Sequence, residues 1–208
     1  MSRTVFMLLF QALCLLGAMG AFQYLYVKAG GAPGTLGAKF AMSGWDVPTH
    51  FFAAGLALAL VPLQLNGWVR RRVPRLHRIG GWLSVAAILI GGISGLSLAV
   101  DAHGGAVTGS SFAIIALLWL MTMGIGIRHV LAGDLASHRS WMMRCIAVTS
   151  AAITLRLTQA ALMGGLHWDF EAAYPISAWF CWPFNLLVCE LLLRRERVRS
   201  AALPGGRR

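Results

Sequence analysis

The chain has 208 residues, 58% of them hydrophobic and only 12% charged, with a formal net charge of +11. So few charges cannot cover the surface of a water-soluble domain of this size. The positive charge sits in short clusters between long apolar runs, with no basic face of interleaved polar and aromatic residues. That argues against nucleic acid as a partner and for a membrane protein whose loops carry the charge.

A bilayer core of roughly 30 Å needs about 20 apolar residues per helix. Six segments qualify, at about 4–27, 48–69, 80–100, 111–131, 141–164 and 173–193. No backbone group can stay unpaired in lipid, so each is expected to be a helix. The first follows Arg3 and carries small residues at Ala18, Gly20 and Ala21, as a cleaved leader would. Its apolar run continues through Phe22, Tyr24, Leu25, Tyr26 and Val27, which favours a retained spanning helix.

The second segment opens after Trp45-Asp46-Val47-Pro48, with proline in the first turn and His50 at the membrane edge. The third follows Arg70, Arg71, Arg72, Arg75 and Arg78. It is entered through Leu76-His77-Arg78 and holds Gly91-Gly92-Ile93-Ser94-Gly95, a small-residue face for close helix packing. The fourth has no histidine within its span. The fifth repeats the third's opening, with Ser137-His138-Arg139 followed by Trp141, and carries Arg156 and Gln159. The sixth contains Trp182-Pro183 and Asn185, a polar break, and Glu190 four residues before Arg194, a spacing for a helical ion pair.

Arginine and lysine set the orientation. One side holds Arg70 to Arg78, Arg128, Arg139, Arg144 and the arginines from 194 onward. The other has only Lys28 and Lys39, with the acids Asp46, Asp101, Asp169 and Glu171. The expected protein is therefore an all-α, six-helix bundle, one domain over 1–196, in a bacterial cytoplasmic (inner) membrane. Both termini are cytoplasmic, and a basic tail over 197–208 is disordered or lies on anionic lipid headgroups. Trp68, Trp82 and Trp141 mark the inner interface, and Trp45 and Trp168 the outer. Cys14, Cys145, Cys181 and Cys189 read as small buried hydrophobes.

Ionisable groups at membrane depth are the first candidates for function. Arg156 lies about 15 residues into its helix, or roughly 22 Å from the inner face at 1.5 Å per residue. It either reaches outer water, bonding Gln159 and backbone carbonyls, or offers a fixed charge to an anionic ligand. His50 is either solvated or a neutral imidazole facing a pocket or a haem. His77 and His138 stand at matching depth on different helices, the arrangement that axial ligation of a b-type haem requires. Arg78 and Arg139 could then neutralise its propionates. The competing reading makes all four interfacial anchors for lipid phosphate. Gln11, Gln23 and Gln64 are expected to bond between helices, and His103, His129 and His167 to be solvated. No HExxH, GxSxG, P-loop or GxGxxG motif is present, which leaves hydrolase and nucleotide-driven chemistry without support.

Pro74-Arg75-Leu76-His77-Arg78-Ile79-Gly80, Ser94-Gly95 and His138-Arg139-Ser140-Trp141-Met142-Met143-Arg144 resemble the bacterial membrane family called domain of unknown function 2306. Ala151-Ala152-Ile153-Thr154-Leu155-Arg156 and the block from Ala178 to Leu186 with Glu190 fit it as well, as does His50. The similarity spans about 45–193 and implies architecture, not activity. The family's layout looks like that of di-haem cytochrome b proteins, which hold haem in a four-helix core between four histidines in facing pairs. Here at most one such pair, His77 with His138, is available. Two functions follow as expectations: a haem-binding electron-transfer protein built on that pair, or a small-solute transporter or sensor with a pocket of His50, Arg156 and Gln159. A structural partner without ligand is the third.

Overall fold

The structure, a computed structural model, describes residues 3–22 and 44–202. All regular structure in them is helical: α1 (Arg3–Ala21), α2 (Asp46–Leu65), α3 (Gly67–Arg72), α4 (Pro74–Val100), α5 (Gly105–Leu131), α6 (Leu135–Thr149), α7 (Ala151–Ala160) and α8 (Phe170–Ala202). A single π turn, Ala161–Gly165, extends α7. Six helical stretches are long and apolar enough to cross a membrane, α6, α7 and the π turn together making one of them.

Local chemistry sets the breaks. Asn66 ends α2 and turns its side chain onto the next helix, where Oδ1 accepts from the Trp68 and Val69 amides at 2.9 and 3.2 Å. Pro74 then starts α4, where its missing N–H costs nothing. Gly104 and Gly105 both take left-handed backbone, φ 85° and 64°, in the turn between α4 and α5. Asp134 caps α6 by accepting the Ser137 amide at 3.0 Å. That cap starts the fifth span at Leu135, ahead of the expected residue 141.

The bundle packs around α4. Its glycine face lets α2 and α5 approach closely, and a core of Ala57, Ala87, Ile88, Trp119, Met123, Cys145 and Val148 forms between α2, α4, α5 and α6. A second core joins α1 to α2 through Cys14, Ala18, Leu58 and Val61, with Ile146 and Ile153 alongside. A third, Ala147, Cys189 and Leu193, joins α6 to α8. Many large apolar side chains are exposed, Leu8, Ile93, Leu117 and Leu187 among them, as lipid-facing surfaces require. All four cysteines are buried and free.

The sixth helix runs on past residue 196 to Ala202, and an Arg139–Glu196 ion pair at 3.0 Å ties it to α6. One expectation is corrected. Glu190 pairs with Arg144 of α6, not with Arg194, because the α6–α8 seam brings the guanidinium to it from a neighbouring helix. Residues 23–27 of the first segment, Lys28, Lys39 and the tail from 203 lie outside the described residues.

Candidate ligand cavity

A cavity of about 510 Å³ opens in the half of the bundle away from the arginine clusters, between α1, α2, α4, α5, the end of α6, α7 and α8. Its walls are mostly apolar, and His50, Trp119, Arg156 and Tyr174 line it. The volume falls within the ~300–1,000 Å³ of sites that hold a small organic molecule.

His50 stands in the first turn of α2, and its Nδ1 meets the Gly91 carbonyl at 2.8 Å. A carbonyl can only accept, so Nδ1 carries the proton, and in the neutral imidazole Nε2 then keeps its lone pair. Gly95 makes the room: a Cβ there would come within 3.1 Å of the imidazole Cε1. A Cβ on Gly91 would stand 3.1 Å from the Trp119 ring. The indole is fixed in turn, donating from Nε1 to Thr149 Oγ1 at 2.8 Å, while that hydroxyl donates to the Cys145 carbonyl at 2.8 Å.

Arg156 owes its position to the α6–α7 junction. There Asn185 of α8 donates to the Ala147 carbonyl at 3.1 Å and to Ser150 Oγ at 3.2 Å, and it accepts from Thr154 Oγ1 at 2.8 Å. This polar seam fixes α7 against α8 and turns Ala151, Ala152, Leu155 and Arg156 to the cavity. Arg156 is exposed, and part of its surface is cavity wall. Its Nη1 donates to the Ala152 carbonyl one turn back at 3.0 Å. Among the described residues no carboxylate forms an ion pair with it. Tyr174 and His50 are near enough to feel its charge.

The cavity reaches the end of the bundle at Asp101 and His103, in the turn between α4 and α5, which is taken as its mouth. His103 Nε2 reaches both Glu171 oxygens at 2.9 Å, and its ring packs on Phe170 with centroids 5.1 Å apart. Phe170 stacks on Tyr174 at 4.9 Å. His103 is therefore paired, not simply solvated as expected, and His129 likewise meets Asp134 at 3.2 Å. Asp134 lies in the loop before α6, where hydrogen bonds from Ser137 hold its carboxyl below the usual range, with His129 adding to the effect.

The opposite end of the bundle gathers the other candidates. His138 Nδ1 donates to the Gly126 carbonyl at 2.8 Å, which leaves its Nε2 free, and it lies close enough to His77 to interact electrostatically. His77 Nδ1 is buried and, among the described residues, has no hydrogen-bond partner. Both imidazoles are of the donor type that axial ligation needs, and a hydrogen bond orients His138, whereas among the described residues none orients His77. The cations expected beside them differ: Arg78 is exposed, and Arg139 is engaged by Glu196. Among the described residues no group of three or more His, Cys, Asp or Glu could hold a metal ion, a count that a bis-imidazole haem does not require.

The structure thus unites His50 and Arg156 in one cavity and brings His77 near His138. Gln159 is not in the wall, which ends at Arg156 on that helix. Trp119 and Tyr174 were not singled out from sequence. The signal for Trp119 was its place in mid-span, where an interfacial tryptophan has no business. Tyr174 gave none beyond its nearness to Glu171.

Six apolar helices around a cavity of this kind define a multi-span α-helical membrane protein. The chain belongs to the DUF2306 family of predicted membrane proteins, whose family model matches residues 47–193. That stretch takes in every cavity residue except those from α1. Comparison with curated proteins and with solved structures finds no match.

Proposed function

We propose that the protein binds a small amphipathic molecule within the membrane, in the cavity that holds His50 and Arg156. The observation that carries this reading is an imidazole Nε2 and a guanidinium that, among the described residues, have no side-chain partner and share a mostly apolar space. Membrane-embedded polar groups are costly unless they meet a partner, and here the partner would be the ligand. Orientation follows from the arginine clusters: the basic end and both termini face the cytoplasm of a bacterial cell, in contact with anionic headgroups, and the cavity mouth faces outward.

A second reading has its own support in the buried, unpartnered Nδ1 of His77 beside His138. On this reading the two imidazoles hold a b-type haem, which would supply one-electron chemistry when bound. Gly126 would orient His138, and Arg78 would face one propionate.

One preparation tests both. Protein purified in nanodiscs is extracted with organic solvent for mass spectrometry, and its absorption spectrum is taken before and after reduction. The cavity reading predicts a co-purifying small molecule that is lost when Ala116→Phe or Leu155→Trp fills the space at an unchanged melting temperature. Identical extracts from wild type and both variants would sink it. The haem reading predicts a Soret band that vanishes in His77→Ala, and a colourless preparation from haem-replete cells removes it.

A further inference from the structure

The cavity reading leaves the ligand's chemistry open, and the distribution of charge around the cavity narrows it. The inference rests on that reading. Arg156 is the one arginine or lysine among the described residues that line the wall, and among those residues its guanidinium has only a backbone carbonyl of its own helix as hydrogen-bond partner. A guanidinium stays charged under all biological conditions, so it cannot shed its proton to escape a low-dielectric site. Every nearby acid is committed or at the rim. Glu171 is held by His103, Asp46 accepts from the Val47 amide at 2.9 Å and from Ser97 at 3.2 Å, and Asp101 stands at the mouth. His50 is oriented by Gly91 so that its neutral form presents an acceptor, and Tyr174 adds a phenol to the wall.

We propose that the ligand is an organic acid with an apolar body, its carboxylate held by Arg156 and its chain or ring lying along Leu58, Ile115, Ala116 and Trp119. A carboxylate matches the planar fork of a guanidinium, and the pair forms inside a wall of low polarity where a charge-assisted bond is strongest. The outward mouth, with His103 and Asp101, fits delivery from the outer side. A cationic amphiphile would meet Arg156 with like charge, and a neutral one would leave the guanidinium unanswered.

The test compares decanoate, decan-1-ol and decylamine, three chains of equal length that differ in head group, by titrating each against the thermal stability of the protein in zwitterionic-lipid nanodiscs. Decanoate should bind at least tenfold more tightly than decan-1-ol, and decylamine should give no shift. Arg156→Gln should bring decanoate down to the level of the alcohol. Arg156→Lys, which keeps the charge but loses the fork, should retain a reduced preference, and the wild-type series stands even if the glutamine variant does not fold. Equal binding of acid and alcohol, or an acid preference that survives Arg156→Gln, overturns this inference and leaves the cavity reading in place. No shift with any of the three overturns both.

Discussion

Asp134 shows how much one side chain does in the turn that leads into α6. Its carboxylate receives the Ser137 amide and lies beside His129, and those contacts favour the charged form. The sign follows from that direction. A carboxyl with a depressed folded-state pKa adds stability above its unfolded pKa, and the contribution is lost as pH falls through the folded value. The Ser137 amide resonance should therefore titrate with a midpoint below that of a free aspartate, and Asp134→Asn should abolish the titration. A midpoint at the ordinary carboxylate value would contradict the cap. Asp134 was not singled out from sequence. Its capping role depends on the left-handed turn at Gly133, φ 77°, which composition does not reveal.

At the scale of elements, the α4–α5 hairpin carries part of the cavity wall, from Leu98 to His103 and on to Phe112. Gly109 of α5 lies directly against the Ala99 carbonyl in the last turn of α4, and a Cβ there would collide with backbone. A flexible side chain could swing aside, as Leu120 can opposite Gly92, but a carbonyl in a helix cannot. Gly109→Ala should cost about 1–3 kcal/mol through overpacking, read as a lower melting temperature in nanodiscs, whereas Gly124→Ala, with open space around it, should be neutral. Equal melting temperatures for the two would show that the hairpin yields. The small-residue stripe of α4 was readable from Gly91 to Gly95, because glycine spacing survives translation into a helix face. The Gly109 contact was not, since it depends on which turn of α5 meets which turn of α4.

For the whole molecule, hydropathy and arginine placement made the architecture legible, because the bilayer leaves so few options. The site was only half legible. Arg156 stood out as a charge at depth and His50 as a histidine at the membrane edge, but nothing in one dimension told that Asn185 would lock α7 in the rotation that turns Arg156 to the cavity. Glu190 misled for the same reason: its sequence neighbour Arg194 was visible, and its spatial neighbour Arg144 was not. The charge asymmetry makes a prediction of its own. A fluorescent protein fused after Ala202 should be bright, and an alkaline phosphatase fused at the same point inactive. The reverse pattern would invert the bundle and turn the cavity mouth to the cytoplasm.

The helix outside the family match has a consequence for access. Gly17 and Ala21 of α1 form part of the cavity wall, and α1 is held to the bundle by a narrow seam of small residues at Cys14 and Ala18. A chain shortened to the matched region would lose that panel, and the cavity would stand open sideways to the bilayer. Acyl chains of the surrounding lipid would then compete for the space, so α1 sets how far the site is insulated from the solvent it is dissolved in.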